Sequence, residues 1–400
     1  MSDVLYSFGN NVLSVNGTYL GSTSYVPPTP PTPTLPANTL RFQFDDTTYV
    51  PTDGVDSAKG TWTAYDASNG IYDWYCDPTV QSQYNPSWDH AFGSKLTTKR
   101  VSLIGAGDTS AVTSMQWMFS NCTALISTIV FDTSNVVDMN HAFNTTGLTT
   151  FPAFNTSNVT NMQALLSSSS ALTSIALLDT HKVTNFEQML FNTRITEVPL
   201  FDTRSATTVR GMLQGTPITS VPLFNTANVR NFESFLQGCK LITTIPAFNT
   251  ASATSTRAML RDCENLLSVP LLDLSNVTDV QWMLAGCYRL PEIPQFNTVN
   301  VQYMRSFCQS ANALTSIPLL RTDNVETMET AFDMCYKVTT GALALYQQAS
   351  SQATPPSVYT NCFKSCGNMA PSGSPIHAEM DQIPTSWGGN MQDQYSGSIG

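Results

Sequence analysis

The sequence predicts an α/β repeat solenoid, in which short coils of nearly equal length stack along one axis. Aspartate or asparagine, usually followed by threonine, recurs every 23 or 24 residues between Asp108 and Asn297. Valine and methionine recur at fixed distances after it, and a proline recurs near the end of most units. An internal period of this length indicates supersecondary units that share one continuous core, so one long domain accounts for most of the chain.

Each unit contributes apolar residues to that core at constant positions. Spacings of three, three and one residue, as in Val112–Phe119, predict one face of a short helix or 3₁₀ turn. A later pair, Leu172 with Ile175, fits a short strand, and the prolines that follow would each remove one ladder donor from a parallel sheet. Ten units are predicted within residues 108–340. They begin at Asp108, Asp132, Asn155, Asp179, Asp202, Asn225, Asn249, Asp273, Asn297 and Arg321.

The segments that flank the repeats predict four further parts. Residues 1–25 alternate apolar and polar positions, which predicts a small β tab of two or three short strands. Residues 26–36 are rich in proline and favour an extended polyproline II linker of about 3.1 Å per residue. Residues 37–107 predict a mostly β N-terminal cap, because a solenoid must cover its first core face. Residues 341–400 open with a helical pattern and predict a C-terminal cap.

Composition excludes several classes of function. Only 12% of residues are charged, the net charge is -11, and 18 lysines and arginines are too few and too scattered for nucleic acid. Residues 1–6 show no basic start and no long apolar run, so we expect neither a secretory signal nor membrane insertion. We therefore expect synthesis in the cytoplasm. The nine cysteines follow the repeat, which favours a reducing compartment.

Short motifs carry a resemblance to a known family. Met-Phe-Ser-Asn-Cys at 118–122 and Ala-Phe-Asp-Met-Cys at 331–335 accompany openings such as Asp-Thr-Ser-Asn-Val at 132–136. Over about residues 108–366 the chain resembles BspA-type leucine-rich repeat proteins. That resemblance implies adhesion by a repeat surface of the kind found on bacterial surface proteins. The order of tab, linker and repeat domain is similar, in addition, to phage fibres and head or tail appendages, including those of phages that infect gut Bacteroidales.

Cysteines at one repeat position predict a ladder of buried thiols along the solenoid, at about 5 Å spacing. Metal binding and disulfide pairing are the alternatives, and Cys362 with Cys366 has the spacing of half a zinc site. Because no further ligand lies at the right distance in the sequence, we predict neither a metal nor a cofactor. The thiols of the ladder are Cys122, Cys239, Cys263, Cys287, Cys335 and Cys366.

The aspartate or asparagine that opens each unit, as at Asp132 and Asn225, is predicted to cap the following turn by accepting backbone N–H bonds. A row of carboxylates that binds calcium is the alternative. The histidines His90, His141, His181 and His377 are far apart in the sequence and predict no catalytic dyad. Paired carboxylates of a glycosidase would have to come from distant acids. The candidates are Asp45, Asp46, Glu292 and Glu326.

Two polar surfaces are candidates for ligand binding. Serine and threonine between the strand anchors would form a stripe of hydroxyl groups that could bind glycans, although threonine is also common on solvated strands. These residues are Thr173, Ser174, Thr219, Ser220, Thr243, Thr244, Thr315 and Ser316. Aromatic residues could anchor protein or sugar. They are Trp62, Trp74, Trp88, Trp117 and Trp282, of which the first three are expected to be buried in the cap.

The function predicted first is that of a non-enzymatic phage virion appendage, located on the virion surface after synthesis in the host cytoplasm. Residues 1–25 would attach it to a capsid or tail protein, and the repeat domain would bind a glycan or protein of the bacterial surface. So small a tab predicts a homo-oligomer, such as a trimer. A BspA-like adhesin on a bacterial cell surface is the alternative, and a glycan-degrading appendage is the third hypothesis. The predicted attachment residues are Val4, Leu5, Tyr6, Phe8, Val12, Leu13, Val15, Tyr19 and Leu20.

Overall fold

The computed structural model describes residues 5–8, 11–15, 18–19, 35–77 and 88–389. It divides the chain into two compact units, Met1–Pro36 and Ala37–Gly400. The first unit contains the predicted short strands, β1 Leu5–Phe8, β2 Asn11–Val15 and β3 Thr18–Tyr19, which pair antiparallel in that order. Val4, Leu20 and residues 26–34 of the predicted linker lie outside the described residues, as do the side chains of the predicted attachment residues in these strands.

The second unit begins with a five-stranded sheet. In chain order its strands are β4 Thr39–Phe44, β5 Thr61–Asp66, β6 Ile71–Tyr75, β7 Val101–Ala106 and β8 Leu125–Ser127. Their spatial order is β5-β6-β4-β7-β8, with antiparallel pairs except for the parallel pair of β7 with β8. Because β8 belongs to the first repeat, the sheet continues into the repeat domain without a break.

The aromatic residues predicted for the cap lie inside this sheet region. Trp74 and Trp88 are fully buried and pack edge to face, with ring centroids 5.3 Å apart. Trp62 is partly buried against Phe42, at a centroid distance of 5.3 Å. The Trp74 indole N–H donates to the Lys59 carbonyl at 2.7 Å, so its polar edge is satisfied within the core.

Each repeat forms one coil, and successive coils hydrogen-bond along a ladder that we call the ladder side. In the first coil the N–H groups of residues 115, 117, 119 and 121 donate to the carbonyls of residues 138, 140, 142 and 144 in the next coil. The same four bonds recur from every coil to the next, at 2.7 to 3.2 Å. They already begin at His90, which donates to the carbonyl of Gln116, so the ladder precedes Asp108.

The ladder side is built from tight turns, and the predicted helix or 3₁₀ turn within each unit is wrong. Met118 donates to the carbonyl of Met115 three residues earlier, and the intervening Trp117 has a φ of 57°. Asn121 repeats this geometry in the next turn, also with a φ of 57°. A left-handed residue breaks a helix, so apolar side chains at helical spacing come from consecutive turns instead.

The predicted apolar columns do form the core. Every residue of the valine column and of the methionine and phenylalanine column is at most 3% exposed. The first column contains Val112, Val136, Val159, Val183, Val229, Val277, Val301 and Val325, and the second contains Met115, Met139, Met162, Phe186, Phe232, Met304 and Met328.

Two polar columns connect neighbouring coils. In most coils a buried threonine follows the opening residue and donates its hydroxyl to a carbonyl of the next coil, as Thr133 does to Asn155 at 2.7 Å and Thr250 to Asp273 at 2.8 Å. Asparagines at the turn bond backward, as Asn158 does to the carbonyl of Ser134 at 2.7 Å. Each such bond contributes about 1 kcal/mol, and a column of them fixes the register of the stack.

Strands are scarce on the opposite side of the coils. Besides β8, the described residues form only the two-residue strands β9 Thr150–Phe151 and β10 Ser174–Ile175, which pair parallel. The chain ends in α1 Ala342–Ser350, which includes the predicted helix, and α2 Pro375–Gln382. Between them residues 358–364 accept the ladder bonds of the tenth coil, and Trp387 then stacks on Tyr359 with ring centroids 4.3 Å apart.

Candidate binding surface

The side of the coils opposite the ladder presents a repeated row of exposed apolar side chains, and we call it the display face. In the third coil it comprises residues 173–178, and the other coils contribute the equivalent residues. One large apolar side chain per coil is 50 to 68% exposed here in most coils. These side chains are Val130, Leu177, Leu200, Leu223, Leu271 and Leu319.

A tight turn at a preceding proline directs Leu200, Leu223 and Leu319 outward. The N–H of Phe201 donates to the carbonyl of Pro199 two residues earlier at 2.8 Å, which leaves Leu200 at the apex of a three-residue turn. Phe224 and Pro222 repeat the bond at 2.9 Å around Leu223. Proline therefore stands at a turn where no ladder donor is needed, and the alternation of buried phenylalanine with exposed leucine follows from the turn.

The eight serine and threonine residues predicted for binding lie on this face. Seven are exposed, and Ser316 is half-buried. The hydroxyls of Thr173 and Thr315 donate to carbonyls of the preceding coil, at 3.1 and 3.0 Å. Within the part of the chain that the structure describes, the hydroxyls of Thr219, Ser220 and Thr243 make no hydrogen bond to protein, so they are available to a ligand.

The opening aspartates and asparagines cap turns, as predicted. Asp132 accepts the N–H of Ser134 at 2.8 Å, and Asn249 accepts that of Ala251 at 3.1 Å. Each carboxylate or amide thus satisfies a donor of its own coil. Among the described residues, no group of three or more potential ligands is placed to hold a metal ion.

The cysteine column consists of free, buried thiols. Cys263 donates to the carbonyl of Leu236 at 3.2 Å, and Cys239 to that of Leu213 at 3.1 Å. Burial raises the pKa of the Cys122 thiol to about 12 and that of Cys239 to about 11. Protonated thiols in a dry core are poor nucleophiles and poor metal ligands, so this column packs and hydrogen-bonds.

The structure brings together two histidines that the sequence analysis separated. His90 and His141 stack on opposite faces of Trp117, with centroid distances of 5.9 and 3.7 Å. Burial lowers the pKa of His141. Extending the repeat register back to residue 90 would have placed all three rings in one column. Similarly, the guanidinium groups of Arg257 and Arg305 lie 4.7 and 5.7 Å from the Trp282 ring.

The acids considered for glycan cleavage are not gathered at one place. Asp46 pairs with Lys99 at 2.7 Å, and this hydrogen bond is the main reason why the pKa of its carboxyl is lowered to about 2. Asp45 pairs with Arg100 at 3.1 Å beside the N-terminal sheet. Glu292 and Glu326 belong to later coils, in the eighth and tenth repeats.

With its stacked coils, shared core and repeated hydrogen-bond ladder, this chain is a repeat protein. It belongs to the family described as Mycoplasma protein of unknown function, DUF285, which matches residues 88–200, 193–290 and 265–352. The predicted resemblance to BspA-type leucine-rich repeats is thereby confirmed. No curated protein matches the sequence. In the described residues, no helix combines the length and the apolar character that crossing a bilayer requires.

Two crystal structures of leucine-rich repeat proteins are similar to this chain. The first comes from Eubacterium ventriosum, with 14% identity and a TM-score of 0.30, and the match covers 64% of this chain and 81% of that one. The second comes from Bacteroides ovatus, with 14% identity and a TM-score of 0.31, and covers 78% of this chain and 92% of that one.

Proposed function

We propose that this chain is a non-enzymatic attachment protein whose repeat domain binds a glycan or protein on a bacterial surface. The observation that carries the proposal is the display face, where exposed leucines stand beside unpaired hydroxyls in consecutive coils. An apolar row of this length beside polar groups is typical of an interaction site. Equal contacts repeated along a rigid stack add up to firm attachment even when each is weak.

In its finer form the proposal is a phage virion appendage. The compact unit Met1–Pro36 and its three-stranded sheet support a docking role for residues 1–25 on a capsid or tail protein. Residues 26–36 would link this docking unit to the repeat domain, and residues 37–107 and 341–400 would cap the stacked coils. Association as a homo-oligomer, such as a trimer, would raise avidity.

A bacterial surface adhesin is the second candidate, and membership of the repeat family favours it. The two settings share the display face and differ in what the N-terminal unit contacts. Cryo-electron microscopy of purified virions separates them. The appendage is supported if density for residues 1–25 lies in a virion socket and if deletion of residues 1–36 removes the protein from particles. If virions do not contain the protein, the surface adhesin is the better explanation.

The display face is tested by adding charge to it. Leu200→Lys together with Leu223→Lys should reduce adsorption of the labelled full chain to a panel of bacterial cells by at least about tenfold, because a desolvated lysine costs several kcal/mol. The matched control is Ala227→Lys with Ala251→Lys, which adds the same charge at exposed turns off this face. Equal loss in both variants, or no loss in either, would remove the display face as the binding surface.

A further inference from the structure

A notch interrupts the edge of the repeat domain where the ladder side meets the display face. It has two adjoining hollows, one of about 760 Å³ and one of about 700 Å³. They share Asn192, Gly215 and Pro217, which lie in the fourth and fifth coils. Ser170 of the third coil lines one end. Lys240 and Leu241 of the sixth coil line the other, with Asp262 and Glu264 of the seventh coil beyond them.

The notch results from two consecutive short repeats. Most coils place two residues between the small residue at the cysteine position and the next buried aliphatic residue, as Lys240-Leu241 between Cys239 and Ile242. The fourth coil has only Arg194 between Thr193 and Ile195, and the fifth has only Pro217. Two coils that each lack one residue, side by side, leave a gap between full-length neighbours. At about 4.8 Å per coil, the walls stand roughly 14 Å apart.

The floor of the notch is open at Gly215, which has no side chain to fill it. Gly215 has a φ of 73°, and a Cβ there would collide with the Oδ1 atom of Asn192. The Asn192 amide therefore lies over the Gly215 Cα and faces the notch. Thr193 and Thr216 below are buried, and their hydroxyls donate to the carbonyls of Leu190 and Leu213 at 3.0 and 2.7 Å. The hydrogen bonds of Thr193 and Thr216 thus fix the floor, while the Asn192 side-chain amide above it can bind a ligand.

Several polar groups that line the notch have no protein partner. Within the described ranges, the side-chain amides of Asn192, Gln214 and Gln237 and the guanidinium of Arg194 make no hydrogen bond or ion pair. Lys240 pairs with Glu264 at 2.7 Å, and Asp262 pairs with Arg261 at 3.3 Å. Pro217 and Leu241 add apolar surface, the latter 49% exposed. The set combines donors and acceptors with an apolar wall and carries little unpaired charge.

We propose that the notch binds a neutral saccharide of one or two sugar rings. Amide groups both donate and accept, which matches hydroxyl groups that do the same, and a guanidinium can span two neighbouring hydroxyls. The apolar C–H face of a sugar packs on the proline and leucine. This site deepens the proposed function, because it assigns to the repeat domain a specific pocket beside the repeated contacts of the display face.

The test measures binding of lactose, maltose, mannobiose and N,N′-diacetylchitobiose to the full chain by saturation-transfer NMR, with digalacturonate as the acidic comparison. At least one neutral disaccharide should bind, and Arg194→Ala with Gln214→Ala should weaken it by at least tenfold. Arg289→Ala is the matched control, since Arg289 lies on the same edge in the full-length eighth coil. A one-residue insertion after Pro217, which restores the common coil length, should also abolish binding.

Three results would overturn the proposal: no neutral disaccharide binds, only digalacturonate binds, or binding survives the Arg194 and Gln214 substitutions. Circular dichroism of each variant confirms that it is folded, and the double alanine variant keeps the test valid if the insertion does not fold. Failure here is distinguishable from failure of the proposed function, because adsorption to cells through Leu200 and Leu223 is a separate measurement.

Discussion

The ladder side and the display face consist of the same ten coils, yet they use their backbone differently. On the ladder side every coil donates four N–H groups to the next, and left-handed residues such as Trp117 and Ser234 make this possible. On the display face β9 and β10 form a parallel pair of only two residues each, and prolines turn the chain so that leucines such as Leu200 point outward. The hydrogen bonds that hold the coils together are therefore concentrated on the ladder side, so residues of the display face can change with little effect on the stack.

The largest expected effect contrasts two leucines of the fifth coil. Leu213 is fully buried, whereas Leu223 on the display face is 63% exposed. Leu213→Ala should reduce the free energy of unfolding by about 2 to 5 kcal/mol, because it removes a core side chain and leaves a cavity. Leu223→Ala should change it by less than about 0.5 kcal/mol. Urea denaturation of both variants measures the difference, and equal losses would contradict the division into a cohesive and a displaying side.

A second prediction compares a buried threonine that joins two coils with an exposed threonine of the display face. Thr250 is buried and donates its hydroxyl to the Asp273 carbonyl of the next coil. Thr250→Val should cost about 1 kcal/mol, because the partly buried hydrogen bond between the coils is lost. Thr243→Val, on the display face, is the matched control and should be nearly neutral. If both substitutions prove neutral in thermal unfolding, the threonine column does not hold the coils in register.

Substitution by glycine should have opposite effects on stability on the ladder side and on the display face. Ser234 adopts a φ of 55°, which costs a side-chain-bearing residue about 1 kcal/mol, so Ser234→Gly should stabilise the protein by roughly that amount. Ser220→Gly on the display face should instead destabilise it slightly, because glycine adds freedom to the unfolded chain. Differential scanning calorimetry would show a raised Tm for the first and a lowered Tm for the second. A lowered Tm for Ser234→Gly would argue against the left-handed turn.

The smallest effect concerns pH and the stacked rings of the ladder side. Because burial lowers the pKa of His141 below its usual 6.5, the folded state binds fewer protons than the unfolded state. Stability from this group is present above that value and is lost as the pH falls through the lowered pKa. His141→Gln should therefore make the difference in Tm between pH 7 and pH 5 smaller than in the wild type. An unchanged difference would show that His141 does not contribute to the acid sensitivity.

The period and the core could be read from the sequence, whereas the path of the backbone could not. Val112 and Met115 recur in register, and a shared register suffices to place residues in one core column. The same spacing predicts a helix, because a helix and a series of consecutive turns give identical apolar patterns. Only the positive φ of residues such as Trp117 and His141 distinguishes them, and neither residue type reveals it.

The surface was predicted less completely than the core. Thr219, Ser220 and their equivalents were placed on an exposed face because threonine fits a solvated strand. The exposed leucines were missed, since a sequence does not tell an outward leucine from an inward one without the turn at Pro199 or Pro222. The notch was also missed, although its signal lay in the alternation of 23 and 24 residues between repeat openings.

The four repeated N–H bonds give the stack a polarity that affects its ends. A coil exposed at the C-terminal end would present donors, and one exposed at the N-terminal end would present acceptors, so two open ends could join and grow into a fibre. Asn361 and Phe363 instead donate to the carbonyls of Ser386 and Trp387, at 3.3 and 2.9 Å. The segment that contains Ser386 and Trp387 therefore covers the donors of the last coil and prevents a second molecule from extending the stack.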